Sequence, residues 1–290
     1  MIYADYNAAA PMRPEAREAM LAALGLGAAN PSSVHRSGRA ARAVVEKARG
    51  QIGGAIGSRA ADILFTSGGT EALALAIQGA VLALDGKATL IVSAIEHEAA
   101  TKAAAFAGVP VETAYVGKDG GADLCDLKAR LAGWDPAIKG TPILVLMLAN
   151  NETGILQPVA GAAALVRAAG GLTVCDAVQA LGKVQVNAAL LGADFIALSA
   201  HKIGGPQGVG ALWHRAGAPL KALLHGGGQE RGLRSGTENV AGIAGFGAAA
   251  EAAVRDLPNY AALAKHRDAM ESRLKAEGGV TVIGEESPRL

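Results

Sequence analysis

Short apolar runs alternate along the chain with longer stretches in which apolar residues recur at helical spacing. The runs are rich in Val, Ile and Leu and too short for ordinary helices, so they predict buried strands at residues 90–94, 143–149, 172–175 and 195–199. Ala-rich stretches with helical spacing lie before and between them, at residues 39–49, 70–84 and 160–169. Strands that alternate with helices predict an α/β fold with a mostly parallel sheet.

The last part of the chain continues this pattern less regularly. Residues 208–214 predict one more strand after a Gly/Pro turn, and residues 238–256 predict a long Ala/Gly-rich helix. Pro258 interrupts that helix, and residues 260–276 predict another one. A single strand is expected at residues 280–283, where its backbone N–H and C=O groups need a neighbouring strand.

Composition excludes several classes of protein. The 290 residues are 51% hydrophobic with a net charge of +1, which excludes a disordered chain and a general nucleic-acid binder. Two cysteines, Cys125 and Cys175, are too few for a disulfide framework or a four-ligand zinc site. The N-terminus lacks a secretory signal pattern, and the longest apolar stretch, interrupted by Gln78, is too short to span a bilayer. We expect a cytoplasmic protein with no metal, nucleic-acid partner or membrane segment.

Lys202 follows an apolar strand and precedes a Gly/Pro turn, Gly204-Gly205-Pro206. A lysine at the mouth of an apolar sheet loses its proton more readily through desolvation, and the neutral amine is a nucleophile toward carbonyls. The alternative is a solvated surface lysine. Asp176 ends another apolar strand, about one helix plus one strand earlier, which places both residues on one edge of the sheet. A helix N-cap is the alternative for Asp176.

A glycine-rich turn, Ser67-Gly68-Gly69-Thr70, leads into a predicted helix. Backbone N–H groups at such a helix start bind phosphate, and the Thr70 hydroxyl can add a hydrogen bond. No Walker motif is present, and a plain loop is the alternative. A Schiff-base lysine, a carboxylate for the pyridine nitrogen and a phosphate cradle together indicate pyridoxal phosphate (PLP).

Further motifs run from one end of the chain to the other, at residues 5–8, 30–35, 67–71, 96–97, 150–154, 176–179, 201–202 and 226–237. With these motifs the chain resembles the cysteine desulfurases of the NifS/IscS type, in the class-V aminotransferase family of fold-type-I PLP enzymes. The resemblance implies a mostly parallel, seven-stranded type of sheet flanked by helices. It also implies conversion of L-cysteine to L-alanine, with the sulfur passed as a persulfide toward iron–sulfur cluster or thio-cofactor assembly.

The resemblance assigns roles to residues around the ring of the cofactor. Lys202 would form the Schiff base, Asp176 would pair with the pyridinium nitrogen, and Gln179 would contact the ring hydroxyl oxygen. His97 would lie over the ring and assist proton transfers, so Lys202 and His97 are the expected catalytic residues. For His97 a helix-start histidine on the surface is the alternative.

Other residues would bind the rest of the cofactor. The phosphate ligands implied by the resemblance are Gly69, Thr70, Ser199 and His201. Thr237 would reach the phosphate of a neighbouring subunit, which implies a homodimer. Asn151 would contact the substrate or the cofactor, and its alternative role is that of a turn residue at a strand end.

The resemblance also implies a division of the chain and a missing part. Residues 1–10 would form an arm that packs on the small domain, residues 11–257 the large PLP-binding domain, and residues 258–290 the start of a small domain that is incomplete. The family's nucleophilic cysteine and the arginine that clamps the substrate carboxylate would lie beyond Leu290. Cys175 is expected in the core, and Cys125 is expected to be a bystander beside carboxylates. We therefore expect PLP binding but little or no persulfide formation from these 290 residues, which persulfide trapping with L-cysteine would check.

Other functions remain open at this stage. A transaminase or a carbon–sulfur lyase of the same family needs no mobile cysteine, and its products would be a keto acid or pyruvate instead of alanine. An inactive PLP-binding remnant is the third possibility. In that case the helix at residues 238–256 is expected to expose an apolar surface that promotes association with a partner or aggregation.

Overall fold

A computed structural model describes residues 2–290. Seven strands form one sheet in the order β1-β7-β6-β5-β4-β2-β3. The strands β2 to β6 pair in parallel, and β7 runs antiparallel to both β6 and β1. In chain order the strands are Ile63–Thr66 (β1), Ala88–Ser93 (β2), Val111–Ala114 (β3), Thr141–Met147 (β4), Leu172–Asp176 (β5), Phe195–Ser199 (β6) and Gly210–His214 (β7). The prediction of a mostly parallel α/β sheet is confirmed.

Helices cover both faces of this sheet. In chain order they are Pro14–Leu24 (α1), Arg36–Ala55 (α2), Gly69–Ala83 (α3), Glu98–Ala105 (α4), Leu124–Leu131 (α5), Pro136–Lys139 (α6), Val159–Ala168 (α7), Ala188–Leu191 (α8), Val240–Arg255 (α9), Leu257–Ala261 (α10) and Ala264–Glu277 (α11). Helices α3 and α4 pack on one face, and α2, α7 and α9 pack on the other.

The central strands are apolar without interruption because both of their faces are buried. In β4, Ile143 and Val145 point into the core under α3, whereas Leu144 and Leu146 point into the opposite core. Successive side chains of a strand point to opposite faces, so a strand between two helical layers needs an apolar residue at every position. This explains why the apolar runs located β2, β4, β5 and β6 within a few residues.

Two expectations about the C-terminal part were wrong. Residues 280–283 do not form a strand, because Gly278, Gly279 and Gly284 have φ of 83°, 74° and 68° and bend the chain on both sides of them. Helix α9, which was expected to expose an apolar surface, is buried between α1 and α2. Phe246 at its centre has no exposed surface. Its small residues allow this approach, since a Cβ on Gly247 would lie 2.7 Å from the Cα of Ala48.

The C-terminal segment after α11 returns to the loop that follows β4. The backbone of Arg289 bridges to Ile155, and its guanidinium forms a bidentate ion pair with Glu271 at 2.6 and 2.8 Å. The division of the chain into an arm, a large domain and the start of a small domain stays a prediction. None of the helices within residues 2–290 combines the length and the apolar character needed to cross a bilayer.

Candidate active site

One cavity of about 400 Å³ opens at the carboxyl ends of β4, β5 and β6, beside the first turn of α3. This is the edge at which parallel α/β sheets bind ligands, because the loops there diverge and the helix starts point inward. Nine of the ten predicted site residues line it: Gly69, Thr70, His97, Asn151, Asp176, Gln179, Ser199, His201 and Lys202. The tenth, Thr237, lies in a separate cavity of about 80 Å³.

Lys202 lies in a short 3-10 turn that directly follows β6. Its side chain is half-buried, and Nζ donates hydrogen bonds to the backbone oxygens of Asn7 at 2.5 Å and Ala8 at 3.1 Å. Burial lowers the pKa of Lys202, while the nearby carboxylates Asp176 and Asp5 oppose that shift. The amine is therefore placed on the cavity in surroundings that favour its neutral, nucleophilic form.

Asp176 is the last residue of β5 and is buried. Its Oδ1 accepts the N–H of Val178 at 2.9 Å, but residues 177–184 form turns and not a helix, so the alternative role as a helix N-cap does not apply. Burial raises the pKa of Asp176, and the nearby His97 and Lys202 oppose that shift. Cys175, the preceding residue, is fully buried in the core, and burial raises the pKa of its thiol, which agrees with the expected alternation along the strand.

The first turn of α3 forms a close cradle against β6 and the loop after β5. A Cβ on Gly69 would lie 2.7 Å from Cγ2 of Val178 and 3.5 Å from Cβ of Ser199, so only glycine brings the backbone this near. N–H groups of a first helical turn have no partner inside the helix and are available to an anion. Ser199 and His201 lie opposite, with 2.9 Å between Ser199 Oγ and His201 Nδ1.

His97 lies on the cavity, as predicted, and is also a helix-start histidine, which was its alternative role. It caps the N-terminus of α4, where its Nδ1 accepts the N–H of Ala99 at 3.1 Å, and it also lines the cavity. Because Nδ1 is an acceptor in this contact, the proton of the neutral ring lies on Nε2. The cap therefore fixes both the tautomer and the orientation of the ring.

Asn151 lies in the turn after β4, as its alternative role also predicted. Its amide donates to Glu152 Oε1 at 2.6 Å, and its backbone oxygen accepts from Asn7 Nδ2 at 3.3 Å. The turn itself is held by Asn150, whose Oδ1 accepts the N–H groups of Glu152 and Thr153. Asn151 therefore serves the turn and lines the cavity as well.

Sequence reasoning missed the role of the N-terminal arm, residues 2–10, in the site. Asn7 accepts hydrogen bonds from Lys202, from Gln179 Nε2 at 2.9 Å and from Lys183 Nζ at 2.8 Å. The arm thus lies across one wall of the cavity. Its motif, residues 5–8, was noticed for the resemblance, but nothing in it indicates which side chains it meets.

Two ionisable groups buried beside the cavity, the Glu96 carboxyl and the Lys183 ammonium, were given no role from the sequence, although Glu96 stands in the motif at residues 96–97. Glu96 accepts the N–H of Met147 through Oε1 at 2.7 Å, and its buried Oε2 has no hydrogen-bond partner among residues 2–290. Burial and the nearby Asp176 raise the pKa of Glu96 to about 8. Lys183 is buried beside Gln179, and burial, with a contribution from Lys202, lowers its pKa to about 8. The position of Lys183, four residues after Gln179, is the only sequence signal that could have indicated it.

The residues on this cavity fit pyridoxal phosphate. An amine and a buried carboxylate share one cavity, and the glycine cradle at a helix start leaves room that a Cβ would fill. A Schiff-base lysine and an acid for the pyridine nitrogen define the class of PLP-dependent enzymes. The chain belongs to the aminotransferase class-V family, whose profile matches residues 2–289.

The relatives within that family are cysteine desulfurases. The chain is 41% identical to cysteine desulfurase IscS of Dictyoglomus turgidum over 88% of its own length, and 41% identical to a cysteine desulfurase of Cereibacter sphaeroides over its full length. It spans 64% of the first relative and 74% of the second.

Solved structures agree with the fold. A NifS-like protein from Rickettsia africae is 33% identical, with a TM-score of 0.92, over 100% of this chain and 79% of that one. A structure described as SspA in complex with cysteine is 31% identical, with a TM-score of 0.79, over 87% of this chain and 72% of that one. The fold-type-I PLP architecture expected from the sequence is confirmed.

Proposed function

We propose that this protein is a PLP-dependent cysteine desulfurase, which takes sulfur from L-cysteine, leaves L-alanine and passes the sulfur on as a persulfide. The observation that carries the proposal is the placement of Lys202 and Asp176 on one cavity. The identity of the relatives as cysteine desulfurases, and the neighbour described with bound cysteine, support the choice of substrate.

In this proposal each wall of the cavity holds one part of the cofactor. Lys202 would join its aldehyde, Asp176 its ring nitrogen and Gln179 its ring oxygen. The first turn of α3, with Ser199 and His201, would hold the phosphate. When bound, pyridoxal phosphate supplies an electron sink that makes the Cα–H bond of the amino acid acidic. Asn151 would contact the substrate or the cofactor.

His97 is the proposed proton-transfer group of the cavity. Its Nδ1 is engaged by the N–H of Ala99, so Nε2 is the atom free to exchange a proton across the cavity. Lys202, which lines the same cavity, would be a second group able to hold or move a proton there. The capped position of His97 limits ring rotation, which keeps Nε2 directed to one place.

The two cysteines of this chain do not fit the role of sulfur acceptor. Neither lines the cavity that residues 2–290 form: Cys175 is buried in the core with a raised thiol pKa, and Cys125 is exposed at the start of α5. The thiolate that takes the sulfur is therefore proposed to be a different one. The final acceptor would be an iron–sulfur scaffold or a comparable sulfur-acceptor protein.

We also propose a cytoplasmic homodimer. The basis for the dimer is Thr237, which lies outside the cavity that holds the other predicted site residues and is exposed. In the proposal its hydroxyl binds the cofactor phosphate of the second subunit. The two free cysteines are consistent with a reducing compartment.

The proposal is tested by replacing Lys202 with alanine. The unchanged protein, incubated with pyridoxal phosphate and reduced with borohydride, should retain cofactor covalently, and Lys202→Ala should retain none above background. Lys102→Ala, which removes an exposed lysine on α4 outside the cavity, is the matched control and should retain cofactor normally. Equal labelling of Lys202→Ala and Lys102→Ala would contradict the assignment.

Another reaction of the same family is the second candidate. The observation in its favour is that neither thiol of this chain lines the cavity. A carbon–sulfur lyase or an aminotransferase requires no thiolate there. With L-cysteine and a thiol acceptor, alanine as the product supports the desulfurase, whereas pyruvate or a keto acid supports the second candidate.

A further inference from the structure

Lys183 is a buried cation that no carboxylate neutralises. Lys183 lies in the turns after β5. Its side chain is buried directly behind the part of the cavity wall that Gln179 forms. Nζ donates to Gln179 Oε1 at 2.6 Å and to Asn7 Oδ1 at 2.8 Å, and both acceptors are neutral amides. Among residues 2–290, no carboxylate oxygen lies within 4.0 Å of it.

Burying an ammonium group without a carboxylate partner does not favour folding, so stability does not explain this lysine. A buried charge costs free energy unless it is paired, and an apolar side chain of the same length would fill the space without that cost. The ammonium group does provide something that an apolar residue cannot, since it only donates hydrogen bonds and never accepts them. Its partners must therefore present oxygen atoms to it.

This requirement, together with the backbone oxygen of Asn7 on the other side, decides which way the Gln179 amide points. With Oε1 turned toward Lys183, the amide nitrogen Nε2 lies on the other side, where it donates to the backbone oxygen of Asn7 at 2.9 Å. Gln179 also lines the cavity, so the group that it can offer to a ligand there is an N–H donor. A reversed amide would present an acceptor oxygen to the ligand and place two donors against each other.

The same ammonium ties down the N-terminal arm. Asn7 meets Lys183 through its side-chain oxygen and meets both Gln179 and Lys202 through its backbone oxygen. The backbone N–H of Ala10 then donates to the oxygen of His201 at 2.9 Å. Asn7 Nδ2 also donates to the backbone oxygen of Asn151, so the arm is fixed to four cavity residues, with Lys183 as the anchor that does not line the cavity.

We propose that Lys183 is a positioning residue, which holds the Gln179 amide with its N–H toward the cofactor's ring oxygen and fastens the N-terminal arm across the cavity. The first part rests on the proposed function, because it requires pyridoxal phosphate in the cavity. The second part concerns the chain alone. The two parts are therefore measured separately.

The arm is tested in the full chain without cofactor, by hydrogen exchange at the N–H of Ala10. Lys183→Met keeps a long unbranched side chain, one atom shorter, and removes its donors, so exchange should rise about tenfold, as expected for loss of a charge-assisted hydrogen bond. Lys183→Arg keeps donors and should restore slow exchange. Unchanged exchange in Lys183→Met overturns the tether. If that variant does not fold, Asn7→Ala removes the same contact from the other side, and slow exchange there overturns the tether equally.

The amide is tested by a pH titration of the visible absorption of bound pyridoxal phosphate. An N–H donor stabilises the negative ring oxygen. In Lys183→Met the amide loses Lys183 directly and loses the firm hold of the arm on its Nε2, so the apparent pKa of the band should rise by roughly one unit. Gln179→Glu removes the donor outright and should shift the band in the same direction by at least as much. A shift in Gln179→Glu without one in Lys183→Met overturns the positioning role.

Failure of the proposed function has a different signature. In that case the unchanged protein shows no visible band with pyridoxal phosphate at all, while exchange at Ala10 still responds to Lys183→Met. A band that neither variant shifts overturns the contact between Gln179 and the ring oxygen, and with it the positioning role of Lys183 toward that contact.

Discussion

At the scale of single residues, burial decides the charge of the acids beneath the cavity. Burial raises the pKa of both Glu96 and Asp176, and the nearby Asp176 raises that of Glu96 further. His97 and Lys202 counteract the shift only at Asp176, whereas Glu96 has a single backbone N–H as its partner. Glu96 therefore keeps its proton up to about pH 8 in the folded chain.

This makes stability depend on pH through Glu96. Its pKa rises from 4.5 to about 8 on folding, so between these values the folded state binds a proton that the unfolded state has lost. The stabilisation is complete below the unfolded value and is lost as pH rises through the folded one. The free energy of unfolding should therefore fall as pH rises from about 5 to about 9. In Glu96→Gln, which keeps the acceptor for Met147, this fall should be smaller by a few kcal/mol.

Denaturant unfolding at several pH values measures this effect. The matched control is Glu98→Gln, two residues further on, where the carboxylate is exposed and Lys102 holds its pKa below the usual value. That variant should leave the slope between about pH 5 and pH 9 unchanged, because both states have already lost the proton there. Parallel curves for Glu96→Gln and the unchanged protein would refute the assignment.

Some residues of the site could be predicted from the sequence and others could not. Asp176 ends an apolar strand and Lys202 lies just after another, and that local pattern alone places them at one edge of the sheet. Glu96 and Lys183 carry no such mark, because their importance comes from burial against residues distant in the chain. Only the folded structure brings the arm at residue 7 to the turn at residue 183.

At the scale of elements, burial also decides which strands could be predicted from the sequence and which could not. The central strands were predictable because both of their faces are covered. The edge strand β3 was not, since Val111, Glu112 and Thr113 are all at least partly exposed and carry no apolar run. Strand β1 was missed because its four residues merge with the glycine-rich turn that follows. The strand expected at residues 280–283 failed because glycines with positive φ bend the chain there.

The start of α3 shows how one element depends on the close approach of another. A Cβ at Gly69 would collide with Val178 at 2.7 Å, whereas a Cβ at the neighbouring Gly68 would meet nothing within 4 Å. Gly68 has φ of 162°, an extended conformation that other residues also adopt. Close packing therefore requires glycine at position 69 but not at position 68.

Gly69→Ala should therefore lower the free energy of unfolding by about 1–3 kcal/mol, because a methyl group is forced into packed surroundings. It should also weaken pyridoxal phosphate binding, since the helix start must shift away from the cavity. Gly68→Ala is the control and should change the unfolding free energy by less than about 1 kcal/mol. Urea unfolding and a fluorescence titration with the cofactor measure both effects, and equal stability of the two variants would contradict the close-packing argument.

At the scale of the whole molecule, one buried ion pair joins three parts of the chain. Arg49 of α2 donates two hydrogen bonds to Glu230, at 2.6 and 2.8 Å, and a third to the backbone oxygen of Ile63 in β1. Glu230 in turn accepts the N–H of Phe65 at 3.0 Å, and the guanidinium lies 4.7 Å from the centre of the Phe65 ring. The glycine-rich loop at residues 226–237 is thereby fixed to the first strand.

The backbone of that loop needs such an anchor. Glu230 and Arg231 have φ of 44° and 60°, a backbone conformation that residues other than glycine rarely adopt. Such conformations persist only where surrounding contacts hold them. The ion pair with Arg49 and the hydrogen bonds of Arg231 to Ala61 and Ile63 supply those contacts. Since the loop carries Thr237, the anchor also sets the place from which Thr237 would reach a second subunit.

Glu230→Gln should destabilise the whole molecule, because it removes the buried counter-ion of Arg49 and leaves only the more exposed Glu46, 3.2 Å from Arg49 Nε, to balance the charge. The side chains are only 7% and 1% exposed, so the expected loss of unfolding free energy is about 3–5 kcal/mol. Glu15→Gln is the matched control, since it removes the acid of the exposed Arg255–Glu15 pair between α1 and α9 and should cost only a small fraction of that. Urea unfolding of both variants checks the comparison. Similar losses in the two variants would show that the loop is held by the hydrogen bonds of Arg231 and not by the buried pair.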